Sequence, residues 1–86
     1  MPFLRNEQQV YSRNQGFEYR AEFSGGNILY EGWAIPTNSA TDESALAWQI
    51  IKHTHNSDNN LTKSSWANYS DAFDKSWTSR GTYKYA

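Results

Sequence analysis

The sequence predicts a mainly β protein, a small antiparallel β-sandwich or sheet with one short C-terminal helical turn. Three observations carry that expectation. Residues 17–23 alternate, with Phe17, Tyr19, Ala21 and Phe23 on one side and Glu18, Arg20 and Glu22 on the other, the period-2 pattern of a half-buried strand. Turn-forming clusters, Ser24-Gly25-Gly26-Asn27 and Asn56-Ser57-Asp58-Asn59-Asn60, separate the apolar segments. Four tryptophans, Trp33, Trp48, Trp66 and Trp77, each sit in a short segment of their own. Rings of that size in so small a chain are expected to share one core.

The 86 residues make one domain. A chain this short buries only about 60–65% of its unfolded surface, so its core must be dense. Hydrophobic residues are 37% of the chain and aromatic ones 16%, which means that a few large rings build the interior. No cysteine is present, so neither a disulfide nor thiolate chemistry is available. The net charge of −1 gives no attraction to phosphate backbones or anionic membranes. No apolar run approaches the roughly 20 residues that span a bilayer, and Arg5, Asn6 and Glu7 interrupt the N-terminus before a signal-peptide core forms. The expected partners are therefore neither nucleic acid nor membrane, and the chain is expected to be made in a cytoplasm.

Residues 1–15 are polar and lack periodicity. They read as an N-terminal arm ahead of a single β-rich domain at 16–86. The arm is either a frayed terminus or a segment whose apolar residues, Phe3, Leu4, Val10 and Tyr11, dock on a neighbouring subunit. The strand at 17–23 and the returning strand at 28–34 form a predicted hairpin about the glycine turn, since Gly and Asn accept positive φ at little cost. Pro36 removes a ladder donor and ends the second strand. Residues 36–44 are a polar loop rich in Ser, Thr, Asn and Asp.

Leu46, Trp48 and Ile50 then share one strand face, and Ala47, Gln49 and Ile51 the other. Both faces are partly apolar, which predicts a central strand; a helix over 43–54 is the competing assignment. After the Asn-rich turn, residues 61–67 return as a more polar edge strand. The period changes over 68–80. Phe73 and Trp77 are spaced to stack on one side of a helical turn, with Asn68 or Ser70 as its cap and Asp71 and Asp74 in its first turns. Gly81 is placed to end that turn in a left-handed conformation, and Thr82–Tyr85 suggest a short closing strand. The predicted core is Phe17, Tyr19, Phe23, Ile28, Trp33, Leu46, Trp48, Ile50, Trp66, Phe73 and Trp77, with Asp74 and Arg80 pairing or capping near the helical turn.

Candidates for chemistry are few. His53 and His55, at i and i+2 on a strand, point the same way, but a zinc site needs a third or fourth ligand and only Asp58 is near. The plainer reading is two solvent-facing histidines beside a turn, with no metal. Asp71 and Asp74 have the spacing of paired carboxylates, which their place at a helix start already explains. No nucleophile elbow and no phosphate-binding glycine loop is present, so no cofactor and no enzymatic activity are expected. Tyr30, Tyr69, Tyr83 and Tyr85 form a candidate interface or a platform for stacking on sugar rings, two uses that want the same stiff amphipathic side chains.

From Gly32 onward the chain runs Gly-x-Ala-x-Pro through Pro36, then Ala40-Thr41, then Trp48-x-Ile50 before the turn. It continues as Trp66-Ala67, Phe73-Asp74-x-x-Trp77-x-x-Arg80 and a closing aromatic, Tyr83 or Tyr85. Over residues 28–86 this resembles the C-terminal half of small virion-associated proteins of tailed bacteriophages and prophages. The Trp-Ala followed by Phe-Asp-x-x-Trp-x-x-Arg is the specific part. Two positions depart from the pattern: Asn68-Tyr69-Ser70 stands where a glycine usually follows Trp-Ala, and Thr37-Asn38 where a glycine usually follows the proline. Asn68 can take the turn role of that glycine. The resemblance implies a structural protein of the particle, a tail, fibre-attachment or capsid-surface component. It would be located in the virion, bound to copies of itself and other virion proteins. A carbohydrate-binding module for host polysaccharide is the alternative.

Overall fold

The computed structural model describes residues 16–36 and 42–86. Among these, four strands form a single antiparallel sheet in sequence order: β1 (Glu18–Ser24), β2 (Asn27–Ala34), β3 (Trp48–His55) and β4 (Leu61–Trp66). Among the described residues the only helical segments are single 3₁₀ turns at Ala67–Tyr69 and Arg80–Thr82. The protein is mainly β, as the alternation predicts. The competing helix over 43–54 does not form, because Trp48 and Ile50 are both wholly buried on one face of a strand.

Local chemistry sets the turns. Gly25 and Gly26 take φ of 60° and 87° between β1 and β2, and Asn59 takes 67° between β3 and β4. Asn56 Oδ1 accepts the N–H groups of Asp58 and Asn60, which closes the second turn. Asn68 and Tyr69 both lie in the left-handed region, at φ of 51° and 64°. Asn68 thus fills the turn role otherwise suited to a glycine.

The registers assign the faces. Glu18–Ala34–Trp48 and Arg20–Gly32–Ile50 are cross-strand rows on one face; Tyr19–Trp33–Gln49 and Ala21–Glu31–Ile51–Trp66 are rows on the other. The four indoles therefore do not share one core. Trp48 and Trp77 pack on the first face, with ring centroids 6.2 Å apart, together with Ala34, Ile50 and Ala67 and flanked by Tyr30, Tyr83 and Tyr85. Trp33 lies on the opposite face, its ring 5.7 Å from Tyr19 and 6.3 Å from Trp66. Strand alternation forces the split, since Trp33 and Trp48 occupy opposite parities of paired strands.

Residues 70–86 depart from the predicted helical turn and closing strand. The segment crosses back to the sheet, and Lys75 exchanges both backbone bonds with Trp48, at 2.8 and 2.9 Å, on the edge of β3 that β4 leaves open. That pairing requires extended backbone, so Phe73 and Trp77 diverge. Phe73 stacks on Phe17 at 6.0 Å, while Trp77 turns into the first face. Gly81 does not have positive φ, and residues 83–86 are not a strand. Instead residues 84 and 86 are tied to β4 and the turn after it: Asn68 N–H donates to Lys84 O, Lys84 N–H donates to Asn68 Oδ1, and Ser65 Oγ–H donates to Ala86 O. Of the predicted core, Phe17, Phe23 and Leu46 are exposed, and they stand beyond or at the very ends of the ladder, away from the buried centre of the sheet.

Candidate functional site

The strongest cluster of reactive side chains lies on the face of Trp33. Glu31 sits mid-strand in β2, on the same face as Trp33 and among largely apolar neighbours, where a carboxylate requires partners. It has them. Glu31 Oε2 accepts the Tyr19 hydroxyl at 2.5 Å, and Glu31 Oε1 lies 2.6 Å from His53 Nε2. The other imidazole nitrogen, Nδ1, lies 2.7 Å from Ser64 Oγ. The His53 and Glu31 side chains are each only 12% exposed, whereas Ser64 is open to solvent on β4, an edge strand among the described residues.

The bonding directions follow from the donor inventory. An ionised carboxylate only accepts, so His53 Nε2 carries the proton toward Glu31. In the neutral imidazole Nδ1 is then the acceptor, and the Ser64 hydroxyl donates to it. Tyr19, Glu31, His53 and Ser64 form one continuous line of hydrogen bonds across all four strands. Such a line can orient a base beside a hydroxyl and carry a proton away from it.

His53 also lines a neighbouring cleft. The β2–β3 ladder ends at Tyr30–Lys52, although β2 begins at Asn27 and β3 runs on to His55. The strands part there and leave a cavity of about 340 Å³, walled by Asn27, Leu29, Lys52, His53, His55 and Asn56. Asn27 Nδ2–H donates to Asn59 Oδ1 at 2.9 Å and joins the two hairpin tips above it.

The sequence-derived candidates fall differently. A register shift between Thr54 and His55 breaks the simple i, i+2 relation of the two histidines, and among the described residues no group of three or more His, Cys, Asp or Glu is placed to hold a metal. Asp71 and Asp74 have separate roles. The Asp71 carbonyl accepts Gln49 Nε2–H, and the Asp74 carboxylate takes the ammonium of Lys75, whose side chain is buried.

Asp74 and Arg80 do not pair. Arg80 Nε–H donates to Glu22 Oε1 at 2.9 Å and Nη1–H to Trp77 O at 2.9 Å, and its guanidinium lies 4.5 Å from the Trp77 ring centre. Arg80 does cap a carbonyl of the C-terminal segment, but its ionic partner comes from β1. Distance in sequence hid that partner.

Of the four tyrosines, three are engaged within the molecule. Tyr30 and Tyr85 pack ring to ring at 5.8 Å, Tyr85 O–H donates to Arg80 O, and Tyr83 Oη accepts Ser76 N–H. Only Tyr69 of the set stays exposed. Among the core residues named from sequence, Trp33, Trp48 and Trp77 are buried, and Trp66 and Phe73 are half-buried. Phe3, Leu4, Val10 and Tyr11 lie outside the described residues.

Local electrostatics at the first face are those of a clamp. The hydrogen bond to Glu43 leads in raising Arg20 above its ordinary value, and Arg20 also lies 5.3 Å from the Trp48 ring centre. The Ser44 hydroxyl and N–H hold the Asp42 carboxyl below its usual range. Trp48 Nε1–H donates to Asp42 O, and Thr78 N–H and Ser76 Oγ–H both donate to Glu43 O.

Sequence reasoning missed Glu31, His53 and Ser64 as a unit. One signal was present: a carboxylate at the centre of a strand, on the face that carries Trp33.

Fold and site together define a small antiparallel sheet protein whose two faces are both packed with aromatic side chains, one of them crossed by a line of polar groups. Neither a known protein family nor a curated protein nor a solved structure matches the chain. No helix among the described residues is long and apolar enough to cross a membrane.

Proposed function

We propose that this chain is a structural protein of a tailed-bacteriophage particle, a tail, fibre-attachment or capsid-surface component. In this reading it acts by contact with copies of itself and with other virion proteins, not by turnover, and it resides in the virion after synthesis in the host cytoplasm. Nucleic acid and membrane are not among its partners. This reading rests on a resemblance to phage proteins carried by the Trp66-Ala67 and Phe73-Asp74-x-x-Trp77-x-x-Arg80 pattern.

The observation that supports the contact role is the exposure of large hydrophobic side chains near one end of the sheet. Among the described residues six large hydrophobic side chains are exposed, and four of them, Phe17, Ile35, Leu46 and Tyr69, stand at the end away from the two hairpin turns. Leu46 is 70% and Tyr69 66% exposed. Large apolar groups gathered on a surface are a common feature of protein interfaces, and in this reading these four meet a partner there. In a symmetric particle each copy buries a modest area, and multiplicity raises the avidity.

The test has two parts. The purified chain is run in analytical ultracentrifugation beside Leu46→Lys and Ile35→Lys, and particles of the producing phage are analysed by mass spectrometry. Concentration-dependent oligomers that the lysine variants weaken, with the chain present in particles, support the reading. A monomer at all concentrations, missing from particles, removes it. Saturable quenching of tryptophan fluorescence by host polysaccharide, in place of oligomers, moves the assignment to the carbohydrate-binding alternative.

A further inference from the structure

The Glu31–His53–Ser64 line places a base against an exposed hydroxyl, and nothing in the assembly role requires this. We propose that Ser64 is an acyl-accepting nucleophile, with His53 as its general base and with Glu31 and Tyr19 as positioning residues. The proposal is independent of the assembly role.

Four observations support it. The Ser64 Oγ to His53 Nδ1 distance, 2.7 Å, is within reach for proton transfer. The base is oriented in turn by a third group, as an activated hydroxyl needs, through the 2.6 Å contact of Nε2 with Glu31. The Tyr19 hydroxyl occupies the other carboxylate oxygen and fixes its plane. Burial differs along the line in the useful sense: Glu31 and His53 are each 12% exposed and held out of bulk water, while Ser64 is open to an incoming ester.

β4 has β3 alone as its neighbour among the described residues. Alternate backbone N–H groups along such an edge point away from the sheet, the kind of donor that receives developing negative charge on a carbonyl oxygen.

The step is an acyl transfer from an activated ester. Ser64 Oγ forms a bond to the acyl carbon as its proton passes to His53 Nδ1. The imidazolium so formed is stabilised by Glu31. The tetrahedral adduct then expels the alkoxide or phenoxide with the electron pair of the broken C–O bond, and that leaving group takes the proton from His53. The products are an ester on Ser64 and a free alcohol or phenol, with no change of oxidation state. A fluorophosphonate reacts at the same oxygen, forming an O–P bond and releasing fluoride.

The experiment treats the full chain with p-nitrophenyl acetate and, separately, with a fluorophosphonate probe. Release of nitrophenolate is followed, and the modified residue is located by peptide mass spectrometry. The expected result is one acetyl or phosphonyl group on Ser64, absent in Ser64→Ala. His53→Gln should slow the labelling about 10²-fold, the lower end of what a positioned base contributes, and should abolish the sigmoid rise of rate with pH. Glu31→Gln, which keeps the base but removes its orienting carboxylate, should slow the labelling while leaving it dependent on His53. Near-ultraviolet circular dichroism confirms that each variant keeps its packing, and Tyr19→Phe provides a milder change if His53→Gln loosens the sheet. Labelling spread evenly over exposed serines such as Ser44 and Ser57, or a Ser64 rate unchanged in His53→Gln, overturns the proposal.

Discussion

The indole of Trp77 lies directly over Gly32: a Cβ added at that glycine would stand 2.7 Å from Trp77 Cε3 and 2.9 Å from Cζ3. No real Cβ tolerates such a contact. The glycine is what lets the C-terminal segment settle onto the sheet, and the same Cβ would stand 3.4 Å from Trp48 Cε3, whose ring packs beside Trp77 on that face.

Gly32→Ala is therefore expected to destabilise the fold. Removing a glycine from a strand would by itself help by about 0.5–1 kcal/mol, but overpacking costs about 1–3 kcal/mol and wins. Urea denaturation followed by tryptophan fluorescence should show a lower midpoint, with the emission of the folded state altered. A midpoint at or above wild type would mean that Trp77 is not held against this strand.

Trp48 is wholly buried, and its ring meets Trp77, Arg20 and the carbonyl of Asp42. Trp48→Ala should cost about 3–5 kcal/mol, enough to unfold a domain with a typical total of about 5–15 kcal/mol in mild denaturant. Trp66→Ala, at a half-buried ring on the other face, should cost less. Thermal melts of the two variants rank them, and a reversed order would contradict the assignment of the main core.

Arg80 and Asp74 should behave as strangers. A double-mutant cycle of Asp74→Ala and Arg80→Ala is expected to be additive within about 0.3–0.5 kcal/mol. The cycle of Glu22→Ala and Arg80→Ala should show a coupling of about 0.2–1 kcal/mol, the range of a partly exposed ion pair. Substantial coupling in the first cycle would restore the pairing expected from sequence.

Tyr85 makes stability depend on alkaline pH. Burial, then the neighbouring Tyr30 and Tyr83 phenols, push its hydroxyl well above the ordinary 10.0. The folded state therefore keeps a proton that the unfolded chain releases near 10.0. The contribution of this group is complete below that pH and is lost as pH rises through the folded value. Spectrophotometric titration of the phenols should show at least one tyrosine that ionises late, together with unfolding. In Tyr85→Phe the late phase should be smaller; a full late phase in that variant would assign it elsewhere.

What was legible in the sequence was local. The alternation of residues 17–23, the paired glycines, the Asn-rich turn and the Trp48-x-Ile50 face each depend on period-2 geometry or on a residue's own φ preference, and the strands formed where those rules put them. Asn68 in its left-handed turn was readable for the same reason.

The course of residues 70–86 was decided only in three dimensions. Phe73 and Trp77 have helical spacing, but a single turn gains little alone, and the backbone pairing of Lys75 with Trp48, the seat of Trp77 on Gly32 and the tie of Asn68 to Lys84 outweigh it. The same holds for the line from Tyr19 to Ser64. Its outermost members lie 45 residues apart in the chain (64 − 19) and meet because cross-strand register brings them together. Sequence reveals which face a side chain takes on its own strand; which side chains it then meets depends on how strands far apart in the chain are aligned.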